Sequence, residues 1–184
     1  MTVQRIVLIL GGARSGKSRY ALRLAEDRFS RRLFIATAEP IDDEMRERII
    51  CHRRSRGRGW RCVEEPLDIA DVIHDPPVRC DVILLDCVTV WLGNVLVKEG
   101  ENAVQKRCRE VLVALKRAKC PVIIVSNEVG MGIVPDTKSG RMFRDFAGRF
   151  NAKLAEIADV VVFVVAGLPI KLKGDIDGFF SENR

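Results

Sequence analysis

Long apolar runs are missing from this chain of 184 residues. No stretch approaches the roughly 20 consecutive apolar residues of a membrane-spanning helix. A strand-like run follows the first few residues with no leader-like segment before it, so the expectation is a cytoplasmic protein that does not insert into a membrane. Aromatic residues make up only 6%, which gives poor support for a platform on which single-stranded bases would stack. The six cysteines, Cys51, Cys62, Cys80, Cys87, Cys108 and Cys120, include no C-x-x-C pair. Zinc and dithiol redox motifs are therefore not indicated, and buried free thiols in a reducing compartment are expected. There is no internal repeat and no low-complexity linker. What remains suits one domain with a sizeable core: 47% hydrophobic residues and a net charge of +6 from 31 basic and 25 acidic residues. That balance fits nucleic acid or any other anionic ligand. The domain is expected over residues 1–173, with the aperiodic residues 174–184 as a C-terminal tail.

Residues 11–18 read Gly11-Gly12-Ala13-Arg14-Ser15-Gly16-Lys17-Ser18, directly after the apolar run Ile6–Leu10. This is the phosphate-binding loop pattern G-x-x-x-x-G-K-[ST] between a strand and a helix. The glycines let backbone N–H groups approach phosphate oxygens. The helix that starts near Lys17 turns its positive end toward the same anion. Lys17 is placed to reach the outer phosphates, and the Ser18 hydroxyl to ligate Mg²⁺.

The remaining apolar runs are Leu33–Ala36, Val82–Leu85, Val122–Val125 and Val160–Val165. They are continuous rather than alternating, as expected for strands buried on both faces of a parallel sheet. Helical spacing is found over Lys17–Arg28, Asp43–Arg54, Val90–Val97, Ala103–Lys116 and Lys138–Ala158, the last with Asp136 as its expected N-cap. The alternation predicts an α/β fold with a mostly parallel, doubly wound sheet and flanking helices.

Several residues outside the loop carry chemical signals. Asp86 ends a buried strand, where an acid orients Mg²⁺ or its water ligands. His52 shares a helical face with Met45 and Ile49, which fits a core histidine. It also sits among Arg46, Arg48, Arg53, Arg54, Arg56, Arg58 and Arg61, where a neutral imidazole would meet an activated phosphorus. The other histidine, His74, lies in the loop-like Ile73–Pro77. Helix-dipole complementation and a solvated basic face explain the arginines equally well. The segment Asn127–Pro135 follows a strand and carries two glycines, which suits a loop that closes on substrate, with Glu128 as base or orienting acceptor. Further on, Arg144, Gly148 and Asn151 form a helical stripe expected opposite the apolar one of Met142, Phe146, Phe150, Leu154 and Ile157.

Taken together, the phosphate loop, Asp43-Glu44-Met45 with Arg48-Ile49 and His52, Leu85-Asp86-Cys87 with Thr89 and Trp91, the block Asn127-Glu128-Val129-Gly130-Met131-Gly132, and Phe143-Arg144-Asp145 with Gly148 and Asn151 form a specific pattern. It resembles the bifunctional adenosylcobinamide kinase / adenosylcobinamide-phosphate guanylyltransferase family of cobalamin biosynthesis over roughly residues 5–173. The resemblance implies a RecA-like phosphate-loop core. It implies phosphorylation of adenosylcobinamide, then transfer of GMP from GTP through a GMP-histidine intermediate at His52. The products are adenosylcobinamide-GDP and pyrophosphate. Nucleotide contacts are implied at Gly11–Ser18, at Ala38, Glu39 and Pro40, at Arg53, Arg54, Ser55 and Arg56, and at Glu64 and Asp86. Asn127, Glu128 and Arg144 are expected toward the second substrate. GTP and ATP enter as substrates with Mg²⁺, no prosthetic group or nucleic-acid partner is expected, and the family implies a homo-oligomer, with a trimer among the options.

Overall fold

Each continuous apolar run becomes a strand of one sheet in the computed structural model, which describes residues 6–44, 46–47, 49–50, 57 and 59–176. The strands are β1 (Ile6–Gly11), β2 (Arg32–Ala36), β3 (Trp60–Glu64), β4 (Val82–Asp86), β5 (Val122–Asn127), β6 (Val160–Val165) and β7 (Leu168–Lys173). The helices are α1 (Lys17–Glu26), α2 (Ile69–His74), α3 (Val88–Glu99), α4 (Glu101–Lys116) and α5 (Lys138–Ile157). Residues 43–44, 46–47 and 49–50 are also helical, within the predicted Asp43–Arg54 helix; its end, with His52, lies outside the described residues.

The sheet order is β3-β2-β4-β5-β1-β6-β7. The first six strands run parallel and β7 pairs antiparallel with β6. Alternate side chains of each strand feed two cores. Leu8, Ile35, Leu85 and Ile124 pack under α2, α3, α4 and α5. Val7, Ile9, Leu84 and Val125 pack with α1 on the other face. Both faces are therefore apolar, which is why these strands show no alternation.

The two edge strands and a short helix escaped the apolar-run criterion for physical reasons. Trp60–Glu64 is only half covered, so it carries Arg61 and Glu64 among its residues. Leu168–Lys173 alternates apolar and basic residues and holds Pro169, which an edge strand tolerates. His74 closes α2 instead of lying in a loop, because Ile69 and Ile73, one turn apart, bury fully. At α5 the cap is Thr137 and not Asp136; the Thr137 hydroxyl accepts from the Gly140 N–H at 3.1 Å. Asn151 is buried on the same side as Phe150 and Leu154, so the expected polar stripe opposite the apolar one is corrected at that position. Of the tail, Ile176 packs against the α1-side core. No helix among the described residues is long and apolar enough to cross a membrane. Cys87 and Cys108 are buried free thiols as expected, whereas Cys62 is exposed.

Register sets the site. Ala36 pairs with both Glu64 and Asp86, so the tips of β3, β2 and β4 lie in one row. Asn127 pairs with Gly11, which places the end of β5 beside the start of the phosphate loop.

The larger core is anchored by Trp91, fully buried, 5.7 Å from the Phe150 ring, with its indole N–H donating to the Leu67 carbonyl at 2.8 Å. Trp91→Ala is expected to remove about 3–5 kcal/mol of stability. Urea unfolding checks this: the midpoint should fall at unchanged slope, and a loss below about 1 kcal/mol would contradict the anchoring role.

Candidate functional site

Parallel strands that end in one row leave a crevice at their carboxyl ends, and here it is a cleft of about 560 Å³. Ala13, Arg14, Ser15, Gly16, Lys17 and Ser18 line one side. Asp86 and Cys87 from β4, Glu64 from β3, Ala38 just beyond β2 and Asn127 from β5 line the rest. Phe34, Ala36, Ile49 and Val90 add apolar surface. The sequence signals thus converge from five segments far apart in the chain.

The loop is shaped by close approach. Gly11 has φ +157°, and a Cβ there would come within 2.6 Å of the Val164 carbonyl oxygen. Gly16, in the left-handed region at φ +97°, caps α1, and a Cβ there would press on Gly167 at 3.3 Å. Gly167 lies in the β6–β7 turn, and its N–H donates to the Ser15 carbonyl at 2.8 Å, bracing the loop from behind. Gly12 has open space around its α-carbon; its carbonyl accepts from Lys17 Nζ at 2.9 Å. The Ser15 hydroxyl is buried with no hydrogen-bond partner among the described residues.

Lys17 is only 8% exposed. Burial pulls its amine below the usual 10.5, while nearby Cys87 and Asp86 push it back up. Burial and the neighbouring Asp86 push the Cys87 thiol up to about 12, so it stays neutral. Thr37 locks this corner: its hydroxyl accepts from the Cys87 N–H at 2.9 Å and donates to the Cys87 carbonyl at 2.8 Å. Asn94 on α3 donates to the Thr37 carbonyl at 2.8 Å. Asn94 carried no sequence signal of its own; Thr37, in Ile35-Ala36-Thr37-Ala38, belongs to the family pattern, but a threonine between apolar neighbours does not by itself show this supporting role.

Other expected residues sit differently. Glu39 is paired with Lys98 of α3 at 2.6 Å, and neither it nor Pro40 lines the cleft. Glu128 stands just past the lining residues; its N–H donates to the Gly11 carbonyl at 3.0 Å, and its carboxylate accepts from the Gly130 N–H at 3.0 Å. Arg144 on α5 pairs with its neighbour Asp145 at 2.9 Å. His52, Arg53, Arg54, Ser55 and Arg56 lie outside the described residues. For Mg²⁺, Ser18 and Asp86, both of which line the cleft, carry hard oxygens of the right kind. Among the described residues no group of three or more acidic, thiol or imidazole side chains is placed to hold a metal ion.

The family described as CobU, cobinamide kinase / cobinamide phosphate guanyltransferase, matches residues 7–172. The bifunctional adenosylcobalamin biosynthesis protein CobU of Escherichia coli is 41% identical, over 91% of this chain and 99% of its own length. CobP of Pseudomonas aeruginosa, of the same description, is 42% identical over 91% of this chain and 97% of its length. Among solved structures, a prototypical ATPase of a type III secretion system shares the fold at a TM-score of 0.53 and 12% identity, covering 91% of this chain and 57% of that one.

The Lys17 environment yields a pH prediction. An amine held below 10.5 loses its proton earlier on the alkaline side, and a bound triphosphate then loses a cationic partner. Triphosphate affinity should therefore decline with rising pH from below 10.5. Lys17→Met should bind about ten- to a hundred-fold more weakly near neutral pH and show no such alkaline limb. Titration with a fluorescent triphosphate across pH checks both; an alkaline limb unchanged in the variant would remove Lys17 as its source.

Proposed function

Because the chain belongs to the cobinamide kinase / cobinamide phosphate guanyltransferase family, we propose that it performs two successive transfers at this one cleft. In the first, a nucleoside triphosphate, ATP or GTP, lies along the phosphate loop and gives its terminal phosphoryl group to the aminopropanol hydroxyl of adenosylcobinamide. Lys17 and the loop N–H groups hold the phosphates. Glu128 accepts or orients the hydroxyl proton, and Arg144 lies toward the same substrate. In the second, an unprotonated nitrogen of His52 attacks the α-phosphorus of GTP, a P–N bond forms and pyrophosphate leaves. The phosphate oxygen of adenosylcobinamide phosphate then attacks the same phosphorus, the P–N bond breaks, and adenosylcobinamide-GDP is released. Arg53, Arg54 and Arg56, with Ser55, stabilise charge on the phosphates in this step. Ala38 and Glu64, which line the cleft, contact the guanine nucleotide, with Glu39 and Pro40 beyond the lining. Mg²⁺ held by Ser18 and Asp86, when bound, neutralises phosphate charge in both steps.

One observation carries the reading most: the phosphate loop, Glu64, Asp86 and Ile49 share a single cleft. Ile49 belongs to a helical stretch and brings it to the cleft wall. The catalytic domain is assigned to residues 1–173, working in the cytoplasm as a homo-oligomer. In support of assembly, Leu168, Ile170 and Leu172 expose 69%, 50% and 60% of their surface along one edge strand.

The test uses GTP labelled at the α-phosphate beside GTP labelled at the γ-phosphate. Label should remain on the denatured protein only from the α-position, be lost in acid, survive alkali and be absent from His52→Ala. That variant should lose GMP transfer and keep phosphorylation of adenosylcobinamide. Normal GMP transfer by the folded variant would rule out His52 as the nucleophile.

A further inference from the structure

Four hydrogen bonds close a ring directly beneath the cleft. The Asn127 backbone N–H donates to Thr89 Oγ1 at 2.6 Å. Thr89 Oγ1 lies 3.0 Å from Ser126 Oγ, and Ser126 Oγ donates to Asn151 Oδ1 at 2.7 Å. Asn151 Nδ2 donates to the Asn127 carbonyl at 3.0 Å and reaches Glu128 Oε2 at 3.5 Å. The direction of each bond follows from chemistry. An amide oxygen only accepts, so the single Ser126 hydroxyl proton goes to Asn151. The Thr89 proton therefore goes to Ser126, and its oxygen is left to accept from Asn127.

Thr89, Ser126 and Asn151 are 5%, 1% and 4% exposed, in a region packed with Trp91, Ala147 and Phe150. Polar groups buried in such surroundings are costly unless fully bonded, and full bonding makes the network rigid. The rigidity is directed at one residue. Both backbone polar groups of Asn127 are held, by side chains from α3 and α5. Asn127 is also where β5 gives way to the loop carrying Glu128, and it lines the cleft.

We infer that Thr89, Ser126 and Asn151 are positioning residues that fix Asn127 and aim Glu128 at the second substrate, and are needed for group transfer rather than for triphosphate binding. The inference rests on the functional reading above. Its sharpest probe is a pair of substitutions at Thr89. Thr89→Val keeps the shape and removes the hydroxyl; Thr89→Ser keeps the hydroxyl and removes a methyl. In phosphorylation of adenosylcobinamide, Thr89→Val should lower kcat about tenfold or more, with the triphosphate dissociation constant within about threefold of wild type. Thr89→Ser should stay within about threefold in kcat. Amide hydrogen exchange supplies a readout independent of turnover: in Thr89→Val, the Asn127 N–H should exchange about a hundredfold faster while the Val122–Val125 amides stay protected. Ser126→Ala opens the ring on the other side and replaces Thr89→Val should the latter not fold. A folded Thr89→Val enzyme with wild-type kcat, or equal damage from Val and Ser, overturns the proposal. A wild-type protein that never phosphorylates adenosylcobinamide overturns the functional reading instead, and the ring then stands or falls on exchange at Asn127.

Discussion

The site depends on the position of β5 in the sheet. It lies between β1, which feeds the phosphate loop, and β4, which ends in Asp86. One strand of separation leaves a crevice between loop and acid, and Ala13–Ser18 and Asp86 line the same space. Parallel pairing forces all these strands to end at the same edge, so residues from five chain segments arrive together without any local signal that they will. β5 then supplies the floor of the crevice through Asn127, and the loop that leaves it carries Glu128.

A crevice lined by backbone N–H groups and a buried lysine is a place where small displacements matter. The structure answers with rigid supports on every side. Thr37 clasps both backbone groups of Cys87, fixing the tip of β4 against β2. Asn151 and Thr89 do the same for Asn127. The turn between β6 and β7 bonds to the Ser15 carbonyl and sits against Gly16. Each support is a short polar side chain, or a glycine N–H, bonded to the backbone of a residue that lines the cleft. In a largely apolar interior such bonds hold geometry more firmly than apolar contact alone, because a broken one leaves a buried group without a partner.

The last of these supports joins the phosphate loop to the edge of the sheet. β7 follows the turn immediately and exposes three large apolar side chains. The hairpin uses two successive left-handed residues, Ala166 at φ 50° and Gly167 at φ 82°, the backbone that a tight two-residue connection requires. Edge and loop therefore share one short connection, and β7 begins at the residue next to the Gly167 N–H that braces the phosphate loop.

Sequence alone determined the phosphate loop, the five buried strands and the acid that ends one of them. Those features are local: a glycine pattern between a strand and a helix, and runs apolar on both faces. It also carried the family pattern through Asn127-Glu128 and Asn151. What it misread were elements whose burial is partial or borrowed. The edge strand β3 is half covered and β7 is exposed along its whole length, so their composition is mixed. The short helix α2 buries Ile69 and Ile73 but is too short to show helical spacing over several turns. Asn151 reads as part of a polar stripe because periodicity sees polarity and not partners. Only tertiary structure decided that its amide meets Ser126, Asn127 and Glu128, since those residues lie more than twenty positions away and reach it through sheet order and helix packing.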